Sequence, residues 1–159
     1  VVDYPSFRRD LEGLAAARAA KHGSDTDLKV IGTLFEKMEA IHKKKNAAEE
    51  ANLDAKFHMA IIEASHNVVM LHMMRSMYEL LRGGVFYNRQ TMFKQRTSRA
   101  ALLDQHRAIN EALQARKPDA ARAAVEAHLD YVERCLIDQR KAEQNEAIAR
   151  QRLEHEQQN

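Results

Sequence analysis

Three of the eight histidines fall, together with one aspartate, at spacings that let imidazole nitrogen and carboxylate oxygen share an ion. Asp54 and His58 are four residues apart, which on a helix stacks them one turn above the other, at the border of a face carrying Phe57 and Ile61. His106 lies in the middle of a stripe formed by Leu102, Ile109 and Leu113, and His128 is flanked on its face by Ala121, Ala124, Val132 and Cys135. All four are therefore expected to point into the core. Nitrogen and carboxylate donors suit zinc, nickel or a similar first-row divalent ion. A single inward histidine is ordinarily a hydrogen-bonded packing residue. Burying three with an aspartate costs about several kcal/mol unless they are paired or metal-bound. Helical phase alone leaves both a metal centre and a packed polar core open.

A rival constellation is present. Glu39 with His42, and Glu63 with His66, both have the Glu-x-x-His spacing used by di-iron bundles. The second pair falls on the wet side of its helix, beside Lys56, and the first runs into Lys43, Lys44 and Lys45 at a helix end. No bridging glutamates from two further helices present themselves, so the di-iron reading is disfavoured.

The elements that must position these residues are all helices, since strand alternation is absent. Ser6 is expected to cap a first helix over 7–21, closed by Gly23 in a left-handed conformation. Ser24 with Asp27 marks the start of a second helix, running to about residue 43. Asn46 with Glu49 opens a third through Ser65, ended by His66 and Asn67. A fourth starts at Val68, and Gly83-Gly84 predicts a kink or break in it. Ser98 opens a fifth that stops before Lys117-Pro118, and Pro118 suits the first turn of a sixth. Short loops between helices predict an all-α antiparallel bundle of about six to seven helices. Residues 1–137 form the domain in this reading. Residues 138–159, poor in apolar side chains, are a frayed or solvated helical extension.

Composition removes several classes of function. The 25 basic and 23 acidic residues nearly cancel, so the net charge of +2 provides no electrostatic footprint for nucleic acid. The single cysteine, Cys135, excludes an internal disulfide and suits a reducing compartment, hence the cytoplasm. No apolar run reaches the roughly 18 residues of a membrane span. The fourth helix, with Val68, Val69, Leu71, Met73, Met74, Met77, Leu80 and Leu81, is apolar nearly all round, which predicts either a central helix or a dimer contact.

The segment Leu53-Asp54-Ala55-Lys56-Phe57-His58, with Ile61 and Ser65-His66-Asn67 after it, resembles the effector-binding domain of GntR-family transcription regulators of the FadR subfamily. The pattern continues in register through His106-Arg107-Ala108-Ile109, Lys117-Pro118-Asp119-Ala120-Ala121-Arg122 and Ala127-His128-Leu129. Near the start, Arg8-Arg9-Asp10-Leu11-Glu12 is similar to that domain's opening. Residues 6–137 carry the resemblance, and Glu63 to Val69 look most like the lactate- and pyruvate-responsive members.

That resemblance implies a helical bundle holding one divalent metal, Zn2+ or Ni2+ among others, through the positions of Asp54, His58, His106 and His128. It implies a small carboxylate effector beside the metal, a homodimer, and operator DNA bound through an N-terminal winged helix-turn-helix not present in this chain. Arg8 matches an arginine that faces the ligand cavity, where it would grip a carboxylate; its other reading is a surface pair with Glu12. Arg89 is a ligand candidate on similar grounds. The expected function is a metabolite sensor and not an enzyme. The runner-up is a metal-dependent enzyme using the same four residues, against which no spare core carboxylate stands out as a general base.

Overall fold

The computed structural model describes residues 3–158 except 95, and side chains in that range except at 80–88 and 94–97. Among the described residues there are six helices and no strand: α1 (Tyr4–His22), α2 (Asp25–His42), α3 (Ala47–Ala64), α4 (Val68–Lys94), α5 (Arg96–Gln114) and α6 (Pro118–Gln158). Connections of a few residues, 23–24, 43–46, 65–67 and 115–117, make successive helices antiparallel neighbours.

Local chemistry accounts for most boundaries. Ser24 and Asp27 form a reciprocal capping box, each side chain accepting from the other's backbone N–H. Asn46 accepts from the Glu49 amide at the start of α3. Three helices end through non-glycine residues in the left-handed region: Lys45 (φ 54°), His66 (φ 52°) and Arg116 (φ 52°).

Four features differ from expectation, one of them the start of α5, which begins at Arg96 so that Ser98, expected to open it, lies inside the helix. The first helix begins at Tyr4, with Asp3 ahead of it and Pro5 in the first turn, so Ser6 is internal and caps nothing. Proline's preset φ starts the helix without a side-chain cap. Gly23 is extended, at φ −60° and ψ 140°, and not left-handed. It is needed for another reason, because a Cβ there would lie 2.5 Å from the Ala19 carbonyl oxygen. Finally, α4 continues through Gly83-Gly84 without a break. Glycine weakens a helix by about 0.5–1 kcal/mol relative to alanine but does not forbid it.

The main core joins α1, α2, α3, α5 and α6 through Ala16, Ala19, Ile31, Phe35, Phe57, Ile61, Ile109, Leu113, Val125 and Leu129. Leu11, Ala15 and Ile62 pack with Met74 of α4, while Met92 and Phe93 pack with Leu102 and Val132. Buried Arg99 donates to Glu50 and to the His42 carbonyl, tying α5 to the start of α3 and the end of α2. Helix α3 is thus fixed along its length, with α1 and α4 over its flanks and α5 and α6 nearby. Beyond Arg140, α6 continues as helix to Gln158 with every described residue exposed. Of the polar extension anticipated for 138–159, residues 138–158 are helical and those beyond Arg140 are exposed.

Candidate metal centre

Asp54 and His58 project from α3, His106 from α5 and His128 from α6. All four are at most 2% exposed. One ligand atom from each lies within 4.8 Å of all the others, and this is the only such grouping of His, Cys, Asp and Glu among the described residues. His58 Nε2 is 3.3 Å from His106 Nε2 and 3.2 Å from His128 Nε2. Asp54 Oδ1 lies 2.9 Å from His106 Nε2 and 3.4 Å from His58 Nε2, yet receives no well-directed hydrogen bond.

The outer nitrogens of two rings set which tautomer faces inward. His58 Nδ1 is 2.6 Å from Glu12 Oε1, and His128 Nδ1 is 2.6 Å from Gln105 Oε1. Both partners are acceptors, so each ring donates through Nδ1. In neutral rings the lone pairs on the two Nε2 atoms then face each other at 3.2 Å. That arrangement is repulsive unless a cation sits between them. An ion with metal–nitrogen distances of about 2.0–2.1 Å needs ligand–ligand edges of roughly 3.3–3.4 Å in tetrahedral and about 2.9 Å in octahedral geometry. Four of the separations, 2.9–3.4 Å, fall in that range and all four ligand atoms lie within 4.8 Å of one another, so the residues fit a first-row divalent ion.

Electrostatics point the same way. Burial would raise Asp54, but Arg89 and then His58 override it and hold its carboxyl well below the usual carboxylate range. Burial, reinforced by His106 and His58, pushes His128 well below the ordinary imidazole value. Burial also lowers His106, against the pull of Asp54. His58 is raised, because Glu12 and Asp54 together outweigh the burial that would lower it. A proton on His58 and a metal ion therefore compete for one place.

Around the cluster runs a second layer of charge. Arg8, buried on α1, donates to Glu12 through Nε and to the Tyr78 hydroxyl at 3.1 Å. The expected pair of Arg8 with Glu12 exists, but in the interior, where it holds the carboxylate that holds His58. Arg89 reaches down from α4, its Nε 2.9 Å from Asp54 Oδ2, with both Nη1 and Nη2 buried and unpartnered. The di-iron candidates are dispersed. Exposed Glu63 pairs with Arg75 and Glu39 with Arg107, while His66 bonds Asp27 at 2.6 Å. Sequence reasoning missed Glu12 and Gln105 as histidine partners and did not single out Tyr78. Glu12 lies one turn beyond Arg8 on the stripe that α1 turns inward, a placement that the i, i+4 spacing alone does not distinguish from a surface pair.

Fold and cluster together define an all-α domain built around a buried constellation able to hold an ion. Residues 6–131 match the FCD domain family, and the chain belongs to it. The chain is 35% identical over 130 residues to a protein of Escherichia coli K12 described as an L-lactate dehydrogenase operon regulatory protein, covering 82% of this chain and 49% of that one. It is 33% identical over 139 residues to the Glc operon transcriptional activator of the same organism, covering 86% and 55%. With the Bacillus subtilis regulator LutR it shares 32% over 130 residues, covering 81% and 58%. The chain thus spans about half the length of these relatives. In fold it is similar to E. coli McbR/YncC, with a TM-score of 0.72 at 19% identity over 84% of this chain and 62% of that one. Streptococcus agalactiae GntR gives a TM-score of 0.65 at 24% identity, over 84% and 57%.

Proposed function

We propose that this domain senses a small organic acid at a divalent metal held by Asp54, His58, His106 and His128, and so controls DNA binding by an attached N-terminal domain in the cytoplasm. Zinc is the leading ion, with nickel next. When bound, the ion supplies open coordination positions for the carboxylate and 2-oxygen of a hydroxy- or keto-acid such as lactate or pyruvate.

The observation that carries this reading is Arg89. Its Nη1 and Nη2 are buried beside Asp54 without a partner, and two parallel N–H groups of a guanidinium match a carboxylate bidentately. Charge supports it. Glu12 and Asp54 offset Arg8 and Arg89, so a divalent ion leaves the centre two charges positive and in need of an anion. The relative named for an L-lactate dehydrogenase operon agrees with an acid effector. The enzyme alternative lacks a base: both cluster carboxylates are already engaged by arginine and histidine.

Acid binding shifts the population between two arrangements of a homodimer, as far as its affinity differs between them. Exposed Val68, Val69 and Met73 on the first turns of α4 support such a contact. Sedimentation at tens of micromolar should give a dimer.

Thermal denaturation tests the sensor. Lactate or pyruvate should raise the melting temperature more than propionate, which lacks the 2-oxygen, and stripping the metal should abolish the difference. Equal stabilisation by lactate and propionate would refute chelation.

A further inference from the structure

We propose that the acid effector reaches the metal centre through the corner where α2 ends and α3 and α5 begin, past a latch formed by Arg99 and Glu50. The inference rests on the organic-acid reading above and adds to it a route and the residues that close it.

Two cavities meet at this corner. The outer one is a groove of about 880 Å³, open to solvent, with His42, Lys43, Lys45, Phe93, Arg99 and Ala100 in its walls. The inner one, of about 10 Å³, has room for one water and touches Glu50, Phe93 and Arg99 together with His106 of the cluster. His42, Phe93 and Arg99 line both, so a single layer of side chains stands between the groove and a residue of the metal centre. Glu50 holds Arg99 in that layer. Arg99 Nε lies 3.1 and 2.9 Å from the two Glu50 oxygens, and Nη2 lies 2.6 Å from Oε1. Nη2 also donates to the His42 carbonyl. Closed in this way, the inner cavity is too small for a three-carbon acid, and the pair has to part before one can pass.

Charge decides what the route carries. Lys43, Lys44 and Lys45 form an exposed run at the turn before α3, a run to which neither the metal cluster nor the core assigns a role. Together with Arg99 they make the mouth of the groove cationic, which raises the local concentration of small anions. A carboxylate arriving there has the same chemistry as the Glu50 side chain and competes with it for the Arg99 guanidinium. As Arg99 turns to the newcomer and Phe93 of α4 moves aside, the inner cavity widens toward His106. Opening of this kind is a conformational step shared by entry and exit, so it sets both rates and cancels from the affinity.

The test is stopped-flow mixing of pyruvate, and separately lactate, with the chain loaded with cobalt, whose visible absorption reports a ligand joining the ion. Ala100 is exposed in the groove wall. Ala100→Trp should slow association and dissociation by the same factor, with affinity and metal content unchanged. Ala147→Trp, exposed on the distal part of α6, should alter neither rate. Lys43→Glu combined with Lys45→Glu should lower the association rate by about tenfold at low salt while dissociation stays the same. Glu50→Gln loosens the latch and should raise both rates together. Unchanged rates in Ala100→Trp, where wild type binds, overturn the route and leave the sensor reading standing. A weakened affinity in Ala100→Trp at unchanged association overturns it too, by moving the effect to the bound state. Wild-type rates in Glu50→Gln overturn the latch. If metal-loaded wild type binds neither lactate nor pyruvate, the acid reading falls and the route with it.

Discussion

Glu12 is the residue whose removal best separates an ion-binding centre from a packed polar core. Its Oε1 accepts from His58 Nδ1, which fixes the tautomer that turns Nε2 inward. Such outer partners tune metal affinity by about 10–100-fold, so Glu12→Gln should weaken zinc binding by that order in competition with a chromophoric chelator. His66→Ala should leave metal content untouched, since His66 bonds Asp27 far from the cluster. The inward histidines were legible because each interrupts an apolar stripe: His106 lies among Leu102, Ile109 and Leu113, all fully buried. Glu12 was not, because Arg8 and Glu12 at i and i+4 look the same whether solvent or α3 lies beyond them. Arg8 shows the same limit. Its expected carboxylate grip competes with the partners it already has, whereas Arg89 has donors to spare.

Helix starts were legible where a side chain caps them, and most helix ends fell close to where they were expected. The starts of α2 and α3 are written in side-chain caps, Ser24 with Asp27 and Asn46 with Glu49, because a cap is a local hydrogen bond. The ends rely on backbone conformation, and here Lys45, His66 and Arg116 adopt the left-handed turn that glycine would adopt without strain. The residue at Gly23 is glycine for close approach instead, and α4 passes through Gly83-Gly84 because the cost of glycine within a helix is small. Lys45 is exposed, so Lys45→Gly should stabilise the fold by about 0.5–1 kcal/mol, read as a higher urea midpoint at constant slope. The distal part of α6 makes the opposite case. Its residues beyond Arg140 are exposed, so truncation after Arg140 should lower far-ultraviolet helicity while leaving the melting temperature and metal content unchanged.

Taken whole, the molecule joins distant parts of its sequence at one point: α3, α5 and α6 supply the four central side chains, and α1 and α4 supply the charges behind them. An ion bound there favours only the folded chain. Stripping it with a chelator should therefore lower the melting temperature, and readdition of zinc should restore it by an amount that grows with the logarithm of free metal. The bundle was legible from helical period and short connections. The layer of Glu12, Tyr78 and Arg89 was not, because it exists only once α1 and α4 close over α3. That closure has a kinetic consequence. With Asp54, His58, His106 and His128 almost wholly inaccessible, an ion cannot enter or leave until the covering helices part, so exchange is limited by local opening rather than by bond strength. The domain should then release its metal to a strong chelator at a rate independent of chelator concentration, and the ion it carries should record which metal was at hand when the chain folded.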